Sequence, residues 1–274
     1  MTAAVQPGRL GEPPLLAVVG GYLTQVFAVA DAEVTKLRHD PFDLVSRAVQ
    51  PILWLLLFGQ VMAHVRGLNV GGGSYLDFLA PGILAQSVLF VAIFYGLSAI
   101  WERDLGVLHR YMVSPAPRSA LVIGKALASS MRGISQALVI YACSAAMGVS
   151  LSLQPAHIIL VSLFIVLASA LFSTFSLIIA CIVKTRERFM GIGQFLTMPI
   201  FFASNAIYPI TLMPPWLRAI ARVNPLSYEV DALRSLMLRG GHSQFGLPLD
   251  VLALSLAIVA LVAIATRMYP RLTQ

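Results

Sequence analysis

The side chains that most often catalyse reactions or bind metals are scattered along this chain. No His-Glu-x-x-His, Cys-x-x-Cys or Gly-x-Ser-x-Gly motif occurs, so the sequence predicts neither a metal site nor a hydrolase nucleophile. Gly124 and Lys125 precede Ala126 rather than Ser or Thr, and the upstream glycine is absent, so the phosphate-binding loop of ATPases is missing. We therefore expect a protein that is not itself an enzyme and has no cofactor or metal of its own.

Two stretches do combine charged, aromatic and proline residues at close spacing. In the first, from Trp101 to about Ser119, charges alternate with apolar residues and prolines follow, which predicts a short helix with one charged and one apolar face. It is either a solvated loop helix or a docking element for a cytoplasmic partner. The second, from Asn205 to Leu249, has proline-rich turns and then a helical run through Arg234.

The composition of the chain indicates whether its helices lie in water or in a lipid bilayer. Of the 274 residues, 58% are hydrophobic and 11% are charged, whereas soluble domains carry about a quarter charged residues. The mean hydropathy of +0.83 agrees with this, and the sequence predicts an all-α integral membrane protein. The net charge of +7 is spread between uncharged runs, which indicates cytoplasmic loop charge and no nucleic-acid partner.

The uncharged runs between successive charged residues give the number of spans, because a crossing helix needs about 20 apolar residues. These runs contain 18 residues from Arg47 to Arg66, 24 from Asp77 to Glu102, 51 from Arg132 to Lys184, 29 from Arg188 to Arg218 and 16 from Asp250 to Arg267. The longest run divides near Gln154-Pro155-Ala156-His157. Six transmembrane helices result, within a domain at 45–267.

The basic residues orient these spans. With six spans, 14 of the 19 Lys and Arg residues lie on the side of the termini and five lie on the other, which predicts a multi-pass plasma-membrane protein with both termini cytoplasmic. The cytoplasmic parts are then 1–44 and the tail 268–274. Between the fifth and sixth spans, many residues of the outer stretch are apolar, which indicates short re-entrant helices dipping into the outer leaflet.

The N-terminal region allows two interpretations. Ala28-Val29-Ala30 resembles a signal-peptidase site. Against cleavage, apolar residues recur there at steps of three and four, at Leu23, Phe27, Ala30, Val34 and Leu37. This pattern favours an amphipathic helix lying on the cytoplasmic membrane surface.

The residues of the predicted spans also indicate how a transporter of this kind could be driven. No Asp, Glu, Lys or Arg lies deep in a predicted span, whereas proton- or sodium-driven carriers usually need intramembrane carboxylates. No loop of the selectivity-filter type is apparent either. A transporter that takes its energy from another polypeptide is the interpretation that remains.

At this point the sequence resembles the permease subunits of ABC type-2 exporters, the group that includes the daunorubicin-resistance and nodulation-factor export permeases. The segment Trp101–Pro115, followed by Gly124-Lys125, is similar to the family pattern E-R-x-x-G-x-x-x-x-L-x-x-S-P followed by G-K. The outer stretch is similar to the family signature P…P-x-W/L…N-P-L-x-Y…L-R. The likeness covers about residues 30 to 270. One departure is His109-Arg110-Tyr111, where many members have Glu-Arg-Leu.

The resemblance implies a working unit of two permease chains, identical or different, and two separate ATP-binding cassette subunits that hold the ATP and Mg. It also implies that the first loop is a coupling helix seated in a groove of the ATPase. The matching coupling residues are Glu102, Arg103, Gly106, Arg110, Ser114 and Pro115. Glu102 and Arg103 would pair with the N-terminal helix or with ATPase side chains.

In the outer signature the matching residues are Asn224, Pro225, Tyr228 and Arg234. They either cap helices and form turns or help to close the outer mouth, and these roles are compatible. The implied function is outward transport of an amphipathic drug-like or lipid substrate. The alternatives are export of a cell-envelope glycolipid or polysaccharide precursor, and an ATPase-binding membrane scaffold that transports nothing.

Uncharged polar and aromatic residues of the predicted spans could contact a substrate. They either line a path or form interhelical hydrogen bonds and contacts with core and membrane lipid, and the sequence leaves both open. The candidates for the path are Gln86, Phe90, Gln136 and Asn205.

Overall fold

The structure, a computed structural model, describes residues 49–63, 74–106, 118–183 and 185–269, with the single residues 21, 24, 31, 35 and 46 before them. Within these ranges the protein is helical and contains no strand; one isolated β-bridge joins Leu151 to Leu238. The predicted all-α class is thus confirmed for the described part of the chain. Arg110, Ser114 and Pro115, the amphipathic N-terminal pattern and most of the C-terminal tail lie outside the described residues.

Nine labels cover the helices of the described ranges. They are α1 (Val49–Met62), α2 (Tyr75–Tyr95), α3 (Leu97–Asp104), α4 (Arg118–Ala146), α5 (Pro155–Ile182), α6 (Arg186–Phe202), α7 (Pro215–Val223), α8 (Pro225–Met237) and α9 (Leu247–Met268). A short 3₁₀ turn at Ile210–Leu212 precedes α7. The middle of α1 is wound as a π-helix over Trp54–Gly59.

Three stretches of the described chain are long and apolar enough to cross a membrane: α2 together with α3, α5, and α9. Helix α1 is apolar but shorter. Helix α4 has 29 residues, which corresponds to about 43 Å at 1.5 Å per residue, but it carries Arg118, Lys125 and Arg132. The described part therefore establishes several apolar helices of a membrane protein, and the six-span count stays a prediction.

Two of the expected boundaries differ from the structure. We expected the first loop to begin at Trp101, but α3 continues the second predicted span in helical form through Asp104. The uncharged run that contains the fifth predicted span extends to Arg218, but α6 ends at Phe202, three residues after Pro199. Both differences arise because gaps between charges locate apolar runs, whereas helix ends depend on local capping and tertiary contacts.

Helix α5 lies at the centre of the fold and packs against α2, α4, α8 and α9. The core around it is apolar and includes Phe164 and Phe172 of α5, which are almost fully buried. Pro155 stands at the first position of α5, where its missing N–H removes no helical hydrogen bond. Pro155 thus fixes the start of α5, and the apolar side chains of α5 account for its position in the core.

Small residues allow α5 to approach its neighbours closely. Gly96, at the break between α2 and α3, faces Ser176 so closely that a Cβ at position 96 would overlap the Ser176 side chain. The Ser176 hydroxyl donates to the carbonyl of Ile93, just before that break. Ser130 of α4 likewise donates to the carbonyl of Val166, at 3.1 Å. Such contacts are the usual means by which helices associate in a membrane.

The start of α2 is bound to the turn that connects α4 and α5. Ser74 and Asp77 form a capping box at the first turn of α2, which satisfies two otherwise unpaired backbone N–H groups. Asp77 Oδ1 also accepts a hydrogen bond of 2.8 Å from the backbone N–H of Ser150. One carboxylate thus caps a helix and holds a distant turn beside it.

Candidate functional site

The charged residues after the second predicted span form a buried ion pair. Lys125 Nζ of α4 lies 2.7 Å from Glu102 Oε2 of α3, and both side chains are less than 10% exposed. We expected Glu102 to pair with the N-terminal helix or with ATPase side chains. Among the described residues it forms an ion pair with Lys125, and the expected pairings stay predictions. Breaking a buried pair leaves an uncompensated charge and costs about 3–5 kcal/mol, more than the 0–1 kcal/mol of an exposed pair. Glu102 is therefore a structural link between α3 and α4.

A second set of contacts, which we call the clasp, consists of Trp101, Asp104 and Arg186. Arg186 approaches Asp104 Oδ2 with Nη2 at 2.7 Å and with Nε at 2.9 Å. The Arg186 guanidinium also lies 3.6 Å from the centre of the Trp101 ring, a distance at which the cation is attracted to the ring face. Because Arg186 is the first residue of α6, the clasp attaches α6 to the end of α3.

Arg103 and Gly106 complete the described part of the predicted coupling segment. Arg103 Nη2 donates to Asp104 Oδ1 at 2.9 Å, so the Asp104 carboxylate lies between two arginines. Gly106 has a φ of +72°, a left-handed conformation that is costly for most other residues. Leu105, just before it, is 71% exposed. The end of α3 therefore presents an apolar side chain next to a rigidly held set of charges.

Asn224 binds two helices on the other side of the molecule. Its Oδ1 accepts from the Leu226 N–H at 3.0 Å and so caps α8, while Nδ2 donates to the carbonyls of Ile200 at 2.7 Å and Ala203 at 3.2 Å, at the end of α6. Pro225 follows as the first residue of α8. The predicted capping role of Asn224 is present, together with a tether to α6.

Tyr228 and Arg234 hold the remainder of α8 in place. The Tyr228 hydroxyl donates to the Arg222 carbonyl of α7 at 2.5 Å. Arg234 is buried, and its Nη2 donates to the carbonyl of Asn205 at 2.8 Å. Its guanidinium lies 3.9 Å from the centre of the Phe78 ring. All four residues of the predicted outer signature thus belong to one unit around α8.

Sequence reasoning missed three acidic residues of this unit, Glu229, Asp231 and Asp250, all of which are fully buried. The Asp231 carboxylate accepts from the Ser243 hydroxyl at 2.6 Å and from the N–H groups of Gln244 and Phe245 at 2.8 and 2.9 Å. Three acids between positions 229 and 250 were the available signal, but their burial depends on how α8 and α9 pack.

Glu229 differs from these acids because neither of its carboxyl oxygens has a hydrogen-bond partner among the described residues. Burial raises the pKa of Glu229 well above its ordinary value of 4.5, since a charged carboxylate is poorly stabilised away from water. Helix α8, with 13 residues, is not among the three described stretches that are long and apolar enough to cross a membrane.

The predicted path residues separate into two groups. Gln86 and Phe90 line a cavity of about 260 Å³, whereas Gln136 and Asn205 are fully buried and do not line it. The described residues that line it come from α1, α2 and α6 and are Gln50, Pro51, Gln86, Ser87, Phe90, Val91, Phe94 and Gln194. Three amides and a pair of stacked phenylalanine rings therefore converge, and none of these lining residues is charged.

The cavity has unused hydrogen-bonding capacity. Gln86 is 2% exposed, and its Oε1 has no hydrogen-bond partner among the described residues; the same is true of the Ser87 hydroxyl. The rings of Phe90 and Phe94 are 6.1 Å apart and nearly parallel. Polar atoms in a membrane helix normally find partners because leaving them unpaired is costly. This cavity can thus take a partly polar, partly aromatic or aliphatic molecule.

Comparison with known proteins agrees with these features. The family model of ABC-2 type transporters matches residues 24–238, and the chain belongs to this family. It is 29% identical over 219 residues to the transport permease ycf38 of Cyanophora paradoxa, which covers 78% of this chain and 74% of that protein.

Two further relatives are bacterial. The inner membrane transport permease YadH of Escherichia coli (strain K12) is 25% identical over 202 residues, 69% of this chain and 75% of that protein. The daunorubicin resistance ABC transporter permease protein DrrB1 of Streptomyces coeruleorubidus is 27% identical over 266 residues, 94% of this chain and 89% of that protein. The family is thus one of membrane transport permeases rather than catalytic enzymes, and its members normally work with an ATP-binding subunit.

Proposed function

We propose that this chain is the transmembrane permease subunit of an ATP-driven exporter that moves an amphipathic drug-like or lipid substrate outward. The observation that carries the proposal is the cavity between α1, α2 and α6, whose described lining combines amides with phenylalanines and has no charged side chain. A relative with a drug-resistance name, DrrB1, matches 94% of the chain, which supports a substrate of this chemical kind.

The energy would come from a separate ATP-binding cassette subunit that holds ATP and Mg. The support is the missing phosphate-binding loop at Gly124-Lys125 and the arrangement at the end of α3, where Leu105 is exposed beside the clasp. Six spans with cytoplasmic termini in the plasma membrane would place this end of α3 at the cytoplasmic surface, within reach of that subunit.

A second permease chain, identical or different, would complete the transport path. In the cavity between α1, α2 and α6, Gln86 Oε1 and the Ser87 hydroxyl have no hydrogen-bond partner among the described residues. Leaving buried polar atoms unpaired is costly, so contact with a substrate or with a partner chain would account for them.

The proposed cycle uses the contacts of the clasp. ATP binding draws the two ATP-binding subunits together and displaces the segment after α3. The Glu102–Lys125 pair and the Arg186–Asp104 pair carry this displacement to α4 and α6. The cavity then opens outward, and ATP hydrolysis resets it. Since α6 also contacts Asn224, its movement reaches the outer unit around α8.

Transport by reconstituted vesicles tests the proposal. The chain is purified with its ATP-binding subunit and placed in inside-out vesicles, and ATP-dependent accumulation of a fluorescent amphiphile is measured. We expect accumulation in the wild type and an altered ratio of transport between two amphiphiles in Gln86→Ala and Phe90→Ala. Leu57→Ala, an exposed residue of α1, is the matched control and leaves this ratio unchanged.

Three results oppose the proposal. Uphill accumulation by the chain without an ATP-binding subunit contradicts the energy source. ATP-dependent flipping of a polyprenyl-linked glycolipid, with no movement of the amphiphile, assigns the alternative substrate class. ATPase binding without movement of either compound indicates a scaffold.

A further inference from the structure

Glu229 is a fully buried carboxyl group without a hydrogen-bond partner among the described residues. It lies on α8, one helical turn after Pro225. An ionised carboxylate in such a place is strongly unfavourable unless a cation or several donors compensate it. Glu229 is therefore neutral, with its proton bound, in the packed arrangement of the structure.

None of the described charged and titratable groups on the elements around Glu229 is hydrogen-bonded to it, and Asp250 Oδ1 likewise has no partner among the described residues. Helix α8 packs against α2, α5, α7 and α9. Five titratable side chains of these helices have hydrogen-bond partners other than Glu229. The pairs are Tyr75 with the Ile207 carbonyl, Asp77 with Ser74 and Ser150, His157 with Ser152, Arg218 with the Thr211 and Met213 carbonyls, and Asp250 with Ser243. Arg222 is exposed.

On α8 itself, Asp231 and Arg234 also point to other partners. Asp231 accepts from the 243–245 loop, and Arg234 donates to the Asn205 carbonyl. No described cation is therefore hydrogen-bonded to Glu229, and desolvation is the cause of its raised pKa. A shift of this origin disappears once water reaches the group.

The position of Glu229 in the fold makes it sensitive to movement of α6. Asn224, at the start of α8, is hydrogen-bonded to the last turn of α6. The other end of α8 is fixed, since the Met237 carbonyl accepts from the Ser152 N–H at 2.8 Å. A displacement of α6 is thus transmitted to the first two turns of α8, where Glu229 lies.

We propose that Glu229 is a proton-binding site that couples opening of the outer mouth to pH. It holds a proton while α8 is packed and loses it when α6 moves and water enters. The inference rests on the proposed function, which takes α6 and α8 to border the outer mouth.

The direction follows from linkage. The packed state has the higher pKa, so it binds the proton more tightly and is stabilised as the pH falls. The hydrated, open state is favoured as the pH rises above the ordinary pKa of a carboxyl group and towards the raised value. Each unit of pKa difference changes the open-to-packed ratio by up to about tenfold.

Cysteine alkylation tests this without measuring transport. The complex of permease and ATP-binding subunit is placed in nanodiscs of phosphatidylethanolamine and phosphatidylglycerol, with Cys143 and Cys181 changed to Ser. Ser227→Cys, at a buried position of α8, reports opening to a membrane-impermeant maleimide. Val223→Cys, at a position that is 83% exposed, corrects for the pH dependence of the reagent.

We expect the labelling rate at position 227, divided by that at position 223, to rise severalfold between pH 5.5 and 8.5. In Glu229→Gln the ratio is expected to stay at its acidic value at every pH, because the amide is neutral and of the same size. Glu187→Gln, at an exposed position of α6, is expected to behave like the wild type. If Glu229→Gln does not fold, Glu229→Leu provides the same non-titrating test.

A ratio that does not change with pH in the wild type overturns the proposal. So does an unchanged pH dependence in Glu229→Gln. Failure of transport with a retained, Glu229-dependent ratio rejects the proposed function and leaves the proton site in place. Normal transport with a labelling ratio that does not change with pH rejects the proton site and leaves the proposed function in place.

Discussion

Lys125 Nζ and Glu102 Oε2 are 2.7 Å apart in a buried ion pair, although 23 positions separate them along the chain. The pair joins the end of α3 to the second turn of α4. It connects the two parts of one sequence pattern, the Glu-Arg of the first loop and the Gly-Lys that follows it. A buried pair of this kind fixes the relative position of the two helices more than it adds net stability.

Removing one partner of this pair is expected to destabilise the protein. Glu102→Ala and Lys125→Ala each leave a buried charge uncompensated, and we expect a loss of about 3–5 kcal/mol in each case. Thermal unfolding in detergent measures the effect. The exchange Glu102→Lys with Lys125→Glu is expected to recover part of the loss. Equal stability of Glu102→Ala and the exposed control Glu187→Ala would contradict the assignment.

The clasp is expected to affect the amount of substrate moved per ATP more than the binding of the ATP-binding subunit. Arg186→Lys keeps the charge but loses the two-pronged contact with Asp104 and the planar contact with Trp101. We expect binding of the ATP-binding subunit to persist while the amount of substrate moved per ATP hydrolysed falls. The quantity to measure is the ratio of transport to ATPase activity.

Arg188→Lys is the control for this prediction, since Arg188 is exposed on the same helix turn. A loss of ATPase binding in Arg186→Lys would mean that the clasp maintains the docking surface itself. An unchanged ratio in Arg186→Lys would show that the clasp has no part in coupling.

Two substitutions separate the capping and tethering roles of Asn224. Asn224→Asp keeps the oxygen that caps α8 but cannot donate to the Ile200 and Ala203 carbonyls. Asn224→Ala loses both functions, and loss of the cap alone costs about 1 kcal/mol. We expect both variants to increase alkylation at position 227 and only the alanine variant to lose the stability of the cap. Identical unfolding temperatures for Asn224→Asp and Asn224→Ala would contradict a separate contribution of the cap to stability.

The contact at Gly96 is expected to tolerate no larger residue. In Gly96→Ala the added Cβ would overlap Ser176, so we expect lower stability despite the better helix propensity of alanine. Combining it with Ser176→Gly is expected to restore part of the loss. Gly191→Ala is the matched control because a Cβ at position 191 has no atom within 4 Å. Thermal unfolding of the three variants and the wild type decides the matter, and a stable Gly96→Ala would refute the close contact.

Features that depend on local sequence were predictable. The start of α5 at Pro155 and the extent of α9 agree with the breaks and apolar runs of the sequence. The family was also identifiable from its loop and outer motifs, and the family comparison confirms it. Asn224 was expected to cap a helix, and it does, because capping depends on residues only two positions apart.

Features that depend on tertiary contacts were not predictable. Nothing near Glu102 in the sequence indicates that it forms an ion pair with a lysine 23 residues away. The burial of Glu229 and Asp231 likewise requires the packing of α8 against α2, α5 and α9. Gln86 and Asn205 looked equivalent in sequence, but only Gln86 lines the cavity, since the orientation of each depends on neighbouring helices.

The links around the turn between α4 and α5 have a consequence for where the outer surface can deform. Asp77 binds Ser150, the Arg239 N–H donates to the Ser150 carbonyl at 2.9 Å, and Leu151 pairs with Leu238. The beginning of α2, this turn and the far end of α8 therefore form a fixed frame. Helix α7 makes none of these contacts, and its Trp216 and Val223 are exposed, so insertions or epitope tags that preserve folding belong there, and antibodies against it would report conformational state.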